Sequence, residues 1–220
     1  MGTRTSRRNL YKPTPPSETG WGSTVNSDNW DVMDKVGDVM NYRRLGTTQD
    51  RWYAAGVVDA HALTTVAPTA NVLRAFPFIV PYNTTLDRIA INVTTLTSGN
   101  QRLGIYADDG NCHPGALLLD AGVVTTGTTG VKTITINQAI TVGTLLWLAL
   151  VGDAAPTLRA IPSSAGIPIV GYDNTLGTDA GIGWTVTYTY AVLPATWPTA
   201  GESVITAAAA QPAVFVRASA

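Results

Sequence analysis

From Trp52 onward, the chain repeats short runs in which every second residue is apolar, and turn-forming residues separate these runs. In Ile89–Val93 and Trp184–Tyr190 this period of two assigns alternate side chains to opposite faces of a β-strand. Asp, Asn, Gly and Pro between the runs indicate tight turns. Because many short strands follow one another without intervening helices, the pattern predicts an antiparallel β-sandwich or jelly roll rather than a Rossmann or barrel enzyme.

The predicted strands either alternate in this way or form short, continuous apolar runs. They are Trp52–Val58, His61–Val66, Leu73–Val80, Thr85–Thr95, Leu103–Ala107, Ala116–Val124, Val131–Ile136, Leu145–Val151, Thr157–Ile161, Trp184–Tyr190 and Ala213–Arg217. Within them, Ile89, Ile91 and Val93 are expected to face the core, whereas Ala90 and Asn92 are expected to face outward. Gly and Pro interrupt Pro162–Gly183 and Pro194–Pro198, which are therefore predicted to be loops on the sandwich.

The composition excludes several classes of protein. Only 13% of the residues are charged, against about 25% in average globular proteins, and the formal net charge is −1. This balance argues against a globally basic nucleic-acid-binding protein. The single cysteine, Cys112, excludes an intrachain disulfide and a multi-cysteine zinc site. The longest apolar run, Leu145–Val151, is far shorter than the roughly 20 residues of a membrane span and predicts a buried strand.

Residues 1–51 differ from the rest, because they hold nearly half of the charged residues in less than a quarter of the length. We therefore divide the chain into an extended N-terminal arm with one short helix and a β domain, residues 52–220. Ser27 or Asp28 provides an N-cap, so the helix is expected within residues 28–44. Its apolar stripe predicts a face that docks on this protein or on a partner and consists of Trp30, Met33, Val36 and Met40.

The start of the arm is basic and is followed by several prolines. Such a segment cannot form a core of its own, and it is typical of a disordered tail or of an arm that lies on a partner. Its cations can pair with an acidic surface, and its apolar side chains should contribute more, since each exposed ion pair is worth only about 0–1 kcal/mol. The candidate anchor residues are Arg4, Arg7, Arg8, Leu10, Tyr11, Lys12 and Trp21. No signal peptide is recognisable in residues 1–10, so synthesis in the cytoplasm without export is expected.

Patterns that indicate catalysis or metal binding are weak. The chain has two histidines, His61 and His113, and no Walker loop, nucleophile elbow or zinc-protease motif. The acidic stretch Asp108–His113 is predicted to be a hairpin turn, with calcium binding by Asp108, Asp109 and Asn111 as the alternative. Most other acids also lie in predicted turns. We therefore expect neither an enzyme nor a bound metal or cofactor.

Carbohydrate binding fits the composition better than catalysis or metal binding does. The chain has six Trp and eight Tyr, whose rings can stack on sugar faces, and short polar side chains are abundant. Trp184, Tyr188 and Tyr190 share one face of a predicted strand, which is equally compatible with a core face. Trp197 lies in a proline-flanked loop and is expected to be exposed. The candidate glycan-binding residues are therefore Trp197, Trp184 and Tyr188.

Residues 10–26, with the sequence LYKPTPPSETGWGSTVN, resemble the N-terminal segment of many tail-fibre and minor structural proteins of tailed bacteriophages. Those proteins share a series of short motifs that precede an Asp-rich short helix. The motifs are, in order, Leu-Tyr-Lys-Pro, Glu-Thr, Trp-Gly and Val-Asn. That pattern continues here with Asp28, Asp31, Asp34 and Asp38. The β domain is similar to sandwich modules of phage fibres, spikes and decoration proteins in the runs Leu103–Gly110, Pro114–Gly122, Gly130–Lys132 and Leu146–Val151.

The resemblance implies a virion protein, made in the host cytoplasm, that attaches by its N-terminus and projects its sandwich. Such proteins are usually homotrimers, so we expect a trimer that contacts other virion proteins of the tail, baseplate or capsid, without nucleic-acid or membrane partners. A tail fibre that binds host-surface glycan is the first hypothesis. A capsid decoration or head-fibre protein without receptor binding is the second, and a glycan-degrading enzyme is the third.

Overall fold

The computed structural model describes residues 3–4, 11–12, 52–56, 62–80, 83–172, 176 and 180–218. Within these ranges β-strands are the dominant regular structure, and the helical element is a single 3-10 turn, Ser163–Ala165. No helix in the described ranges is long and apolar enough to cross a membrane. The expectation of a mainly β chain is confirmed.

The strands are numbered in chain order. They are β1 (Thr3–Arg4), β2 (Tyr11–Lys12), β3 (Tyr53–Ala54), β4 (Thr64–Val66), β5 (Val72–Ile79), β6 (Thr84–Thr95), β7 (Asn100–Asp108), β8 (Pro114–Thr125), β9 (Gly130–Ile140), β10 (Leu145–Gly152), β11 (Thr157–Ile161), β12 (Gly181–Thr187), β13 (Glu202–Thr206), β14 (Gln211–Pro212) and β15 (Phe215–Ala218).

Two antiparallel sheets pack face to face. The first has six strands in the order β13-β12-β5-β10-β7-β8. The second has seven strands, and β6 is its centre: β9 pairs with one edge of β6, and β15 and then β11 pair with the other. Strands β4 and β14 pair with β11, and β3 pairs with β15. The predicted antiparallel sandwich is therefore confirmed, and β1 and β2 form a separate two-stranded sheet.

Apolar side chains from both sheets meet in the main core. Ile89, Ile91 and Val93 of β6 face this core, as their period of two predicts, and they pack with residues such as Leu148 of the opposite sheet. Burial of each large aliphatic side chain contributes about 1.5–3 kcal/mol. Ala90 does not belong to this core, in line with its expected outward orientation, yet its small side chain is buried between the strands that pair with β6 on both edges.

Strand β10 is buried on both of its faces. Leu146, Leu148 and Leu150 point into the main core, whereas Trp147 and Ala149 point to the outer side of the six-stranded sheet. A strand that is covered on both faces needs apolar side chains at every position. The continuous apolar run in the sequence therefore reflects double burial, and the prediction of a buried strand here is confirmed.

All strands predicted between Leu73 and Ile161 are present, with ends shifted by a few residues because backbone pairing extends beyond the apolar runs. Strands β13 and β14 were not predicted, since they are short and lack a clear alternation. The predicted Trp184–Tyr190 strand begins earlier and ends at Thr187. The helix expected within residues 28–44 lies outside the described residues, as does the division at residue 51.

An ion pair joins β6 to β15 on the side of the seven-stranded sheet that faces away from the core. Nη2 and Nε of Arg217 donate hydrogen bonds to Oδ2 and Oδ1 of Asp87 at 2.6 and 3.0 Å. These hydrogen bonds lower the pKa of Asp87, and the charges of Arg217 and Arg88 add to the effect. The carboxylate form of Asp87 is therefore favoured in the folded protein.

We predict that Asp87→Asn lowers the free energy of unfolding at neutral pH by at most about 1 kcal/mol, because both side chains are partly exposed. The folded-state pKa of Asp87 lies below its unfolded value, so its contribution is present above about pH 4 and is lost as the pH falls through the folded value. Urea unfolding of both proteins at neutral pH and at about pH 2 checks this. A difference that is equally large at both pH values contradicts it.

Candidate functional site

The outer face of the six-stranded sheet carries a layer of aromatic side chains. Tyr106 and Trp147 are fully buried there, and Trp184 is partly buried. Residues 188–201, which connect β12 to β13, lie over this face, and we call them the strap. Leu193 and Trp197 of the strap insert into the aromatic layer and are only 3% and 2% exposed. The strap thus gives the six-stranded sheet a second core on its outer side.

The strap extends from β12 to the far edge of the same sheet. The amide of Leu117 in β8 donates to the carbonyl of Ala195, and the amide of Trp197 donates to the carbonyl of Gly115, each at 2.9 Å. These bonds satisfy backbone groups at the edge of β8 that would otherwise be unpaired. Residues 195–197 therefore act as a short additional strand beside β8.

Gly104 of β7 provides the space into which Leu193 fits. A Cβ atom at position 104 would collide with Cδ1 of Leu193 and lie 2.7 Å from the carbonyl oxygen of Leu119. The amide of Leu193 also donates to Oδ2 of Asp120 at 3.3 Å. A glycine inside a strand often marks such a close approach. The absence of a side chain at Gly104 is thus a requirement of the strap.

Tyr106 holds the strap through its ring and its hydroxyl. Its ring meets that of Trp197 edge to face, with centroids 5.5 Å apart. Its hydroxyl donates to the carbonyl oxygen of Pro194 at 3.0 Å. Burial raises the pKa of Tyr106 well above its usual range, so the hydroxyl stays protonated at neutral pH and can donate this hydrogen bond.

His113 lies between two carboxylates at one end of the aromatic layer. Its Nε2 is 2.8 Å from Oε2 of Glu202, and its Nδ1 is 3.6 Å from Oδ2 of Asp109. Nε1 of Trp197 donates to the same oxygen of Glu202 at 3.2 Å. The ring of Trp184 packs edge-on against His113, with centroids 4.7 Å apart. Glu202 therefore connects the start of β8 to the strap.

This cluster has the residue types of a hydrolytic site but not the arrangement. In glycosidases, substrate and water occupy the space between two carboxylates. Here the imidazole of His113 fills the space between Asp109 and Glu202 and contacts both. The two contacts use opposite sides of the ring, so the three side chains do not converge, and the described residues contain no group of three or more potential ligands placed to hold a metal. The arrangement is suited to bracing the strap.

Residues 108–113 form the turn between β7 and β8, as the sequence predicts. Oδ2 of Asp108 accepts from the amide of Gly110 at 2.9 Å, and Oδ1 of Asp109 accepts from the amide of Asn111 at 2.8 Å. Carboxylates that bind the backbone two residues ahead are typical of turns. The two acids therefore have a local structural reason for their positions.

The expectation that Trp197 is exposed is wrong. Its loop folds back over the sheet, because burial of the large indole is favourable and Glu202 satisfies its N–H. Trp184 donates its Nε1 proton to the carbonyl of Cys112 at 3.0 Å, and the hydroxyl of Tyr188 donates to the carbonyl of Val192. Trp184 and Tyr188 keep part of their surface exposed, and a glycan-binding role for them stays a prediction.

The candidate anchor and docking residues belong to the first 51 positions. Arg4 lies in β1, and Tyr11 and Lys12 lie in β2. The remaining ones lie outside the described residues and are Arg7, Arg8, Leu10, Trp21, Trp30, Met33, Val36 and Met40. Their roles in attachment stay predictions.

The described part of the loop before β12 presents two exposed apolar side chains. Tyr172 exposes 63% of its surface, and Leu176 exposes 80%. The sequence predicts a loop at these positions but does not single out either residue. An exposed aromatic ring on a loop is a candidate for ligand contact.

Sequence reasoning did not identify Leu193, Glu202 or Gly104 as parts of this site. One signal was available: Gly104 interrupts the apolar run of β7, and a strand glycine suggests that another chain segment approaches. Nothing in the sequence indicates which segment that is, because the strap is distant along the chain. Comparison with known proteins adds no relative: no protein-family model and no curated protein matches the chain.

We predict that Gly104→Ala displaces the strap and lowers the free energy of unfolding by about 1–3 kcal/mol, because the new methyl group collides with Leu193 and the backbone of Leu119. Gly127→Ala is the matched control, since a Cβ there meets no atom within 4 Å. Urea unfolding and tryptophan fluorescence measure stability and the burial of Trp197. Equal stability of the two variants contradicts the proposed role of Gly104.

Proposed function

We propose that this chain is a structural protein of a tailed-bacteriophage virion, an appendage subunit that attaches by its N-terminal arm and projects its β-sandwich. The observation that carries the proposal is the resemblance of residues 10–26 to tail-fibre N-terminal segments in a chain whose described body is an antiparallel sandwich. The sandwich has a second core under the strap, and a body packed on both faces of one sheet suits a projecting module.

Binding rather than catalysis follows from the way the ionisable groups are used. Asp120 accepts from Arg102 at 2.6 Å, Asp87 pairs with Arg217, and Glu202 binds His113. A general acid or base needs a group that is free to face a substrate. Because these groups serve internal contacts, we infer that the protein has no enzymatic activity.

The side of the sandwich formed by β8 and β9 has features that favour association between copies of this chain. Strands β8 and β9 are long edge strands of the two sheets. The strap pairs with β8 only around residues 115–117, so the rest of β8 and the outer edge of β9 can offer backbone groups to another chain. Several of the exposed large apolar residues lie on β8, on β9 or on the adjoining strap, namely Leu118, Val123, Val131 and Val192. The net charge of −1 produces little repulsion between copies. A homotrimer formed through this side is our proposal for the assembled state.

A tail-fibre role includes contact with the host surface. Tyr172 supports this form of the proposal, since its exposed ring lies on a loop that the scaffold carries. A capsid decoration protein without receptor binding is the second candidate. The burial of Trp197 favours it, because the aromatic ring with the best sequence case for glycan contact is used inside the fold.

We predict that deletion of residues 1–27 leaves a folded, soluble β domain that no longer enters virus particles, because the arm supplies the attachment. Circular dichroism checks folding, and immunoblotting of purified particles measures incorporation. Substitution of Leu96 by Ala serves as a control that alters an exposed side chain outside both the arm and the proposed trimer surface. Normal incorporation of the truncated protein contradicts the anchor, and labelling of intact particles locates the full-length protein on the tail or capsid.

A binding assay, in which the purified protein is passed over immobilised host-envelope polysaccharide, distinguishes a tail fibre from a decoration protein and from an enzyme. For a tail fibre, we predict retention without cleavage. Most retention should be lost in Tyr172→Ala but not in Leu96→Ala, because the two residues are 63% and 53% exposed and only Tyr172 offers a ring. Trp197→Ala is unsuitable, since it would disturb the core. Absence of retention supports the decoration role, and release of shorter glycan fragments contradicts the non-enzyme proposal.

A further inference from the structure

The side of the sandwich formed by β8, β9 and the strap carries almost no charge. Residues 114–140, which run from β8 through a short turn to β9, contain one aspartate, Asp120, and one lysine, Lys132. The strap, residues 188–201, contains no charged residue. Nucleic acids, acidic glycans and anionic membranes bind through many counter-charges, which this side does not offer. An uncharged protein surface is therefore the partner that suits it.

Both of these charged groups are engaged within the chain. Asp120 pairs with Arg102 at 2.6 Å. Nζ of Lys132 donates to the hydroxyl of Thr128 and to the carbonyl oxygen of Thr129. Natural proteins often protect an edge strand from pairing with a lysine that points away from the sheet. Because Lys132 bonds back to the turn that precedes β9, it does not protect β9 in this way.

The outer edge of β9 is open along its regular part. Residues 130–135 pair with β6 in continuous register, and the irregularity in this ladder comes after Thr135. No described strand pairs with the other edge of β9, and a Cβ atom at Gly130 would meet no atom within 4 Å. Val131 and Thr133 are exposed on this stretch. A flat edge without proline or a bulge is a template for another strand.

Strand β8 has a second open stretch, beyond the residues that the strap covers. Residues 122–125 pair with β7 in continuous register, and Val123 among them is 42% exposed. A Cβ atom at Gly122 would also meet no atom within 4 Å. Only residues 126–129 separate β8 from β9, so the two open stretches flank a single turn.

We propose that residues 130–135 of β9 in one copy pair with residues 122–125 of β8 in the next copy, so that three copies close into a ring. This inference rests on the homotrimer of the proposed function and names the strands that form it. A contact between two different patches of one chain is heterologous, and such contacts form a ring when the rotation closes.

The position of the two stretches suits this arrangement. Because they flank one turn, an axis that passes near the turn brings β9 of each copy to β8 of its neighbour. Main-chain hydrogen bonds between the two edges stabilise the contact, as in other cases of strand addition. Val131 and Val123 lose exposed apolar surface on association, which adds to the stability.

The first test is cross-linking between two co-expressed full-length chains that carry different affinity tags. Both carry Cys112→Ser, because the single cysteine is exposed and would react. One chain also carries Val123→Cys, and the other carries Thr133→Cys. With a short bismaleimide we expect covalent products that contain both tags. Their absence overturns the proposal, as do products that join only two Thr133→Cys chains, since these indicate pairing of β9 with β9.

A matched control replaces Thr133→Cys by Leu96→Cys. Leu96 is 53% exposed and lies outside β8, β9 and the strap, so it should give no product with both tags. Mixed products of equal yield with Leu96→Cys contradict the proposal, because they show that the reaction does not depend on the contact.

The second test measures association of the full-length protein by analytical ultracentrifugation. We expect the wild type to form a trimer and Val131→Lys to associate at least about tenfold more weakly, because an unpaired charge is buried in the contact. Leu96→Lys should associate like the wild type. A monomeric wild type overturns the proposal, as does a Val131→Lys variant that is folded by circular dichroism and associates as tightly as the wild type. The cross-linking test stands even if this variant does not fold.

Immunoblotting of purified particles tests the virion role separately. Mixed cross-links in a protein that is absent from particles support the contact between β8 and β9 and contradict the virion role. A protein that is present in particles but gives no mixed cross-links overturns the contact and leaves the virion role standing.

Discussion

Burial of both faces of the six-stranded sheet is the constraint on which the rest of the described structure depends. One face packs against the seven-stranded sheet, and the other packs beneath the strap, residues 188–201. Each face needs its own row of apolar side chains, and β10 supplies both rows from a continuous apolar run. The strap requires Gly104 to lack a side chain, and it requires Leu193 and Trp197 to leave solvent.

The double burial also explains where the polar atoms of the aromatic residues are satisfied. A buried indole N–H or phenol needs a partner, because an unpaired polar atom in the interior is costly. Trp147 bonds to Asp108, Trp197 bonds to Glu202, and Tyr106 bonds to the backbone of Pro194. These partners lie at the end of β7, at the start of β13 and in the strap. Residues that suggest binding or catalysis therefore hold the sheet and its cover together.

The strands could be predicted because the side-chain period of a strand is local. Ile89, Ile91 and Val93 alternate in the sequence and face the core in the structure. On β12 local alternation was insufficient. An irregularity in pairing between Gly181 and Gly183 lets Ile182 join the main core while Trp184 joins the aromatic layer. A bulge of this kind depends on pairing with the partner strand, and the strand itself carries only the indirect signal of Gly183.

By itself, the sequence determined that this chain is an antiparallel β protein, because alternation, apolar runs and turn residues act over a few positions. It also identified the 108–113 turn, where acids bind the backbone two residues ahead. Only the tertiary structure decided that Trp197 is buried, that Glu202 meets His113, and that the strap pairs with β8. These outcomes join positions that are far apart along the chain, and packing of the two sheets and the strap brings them together.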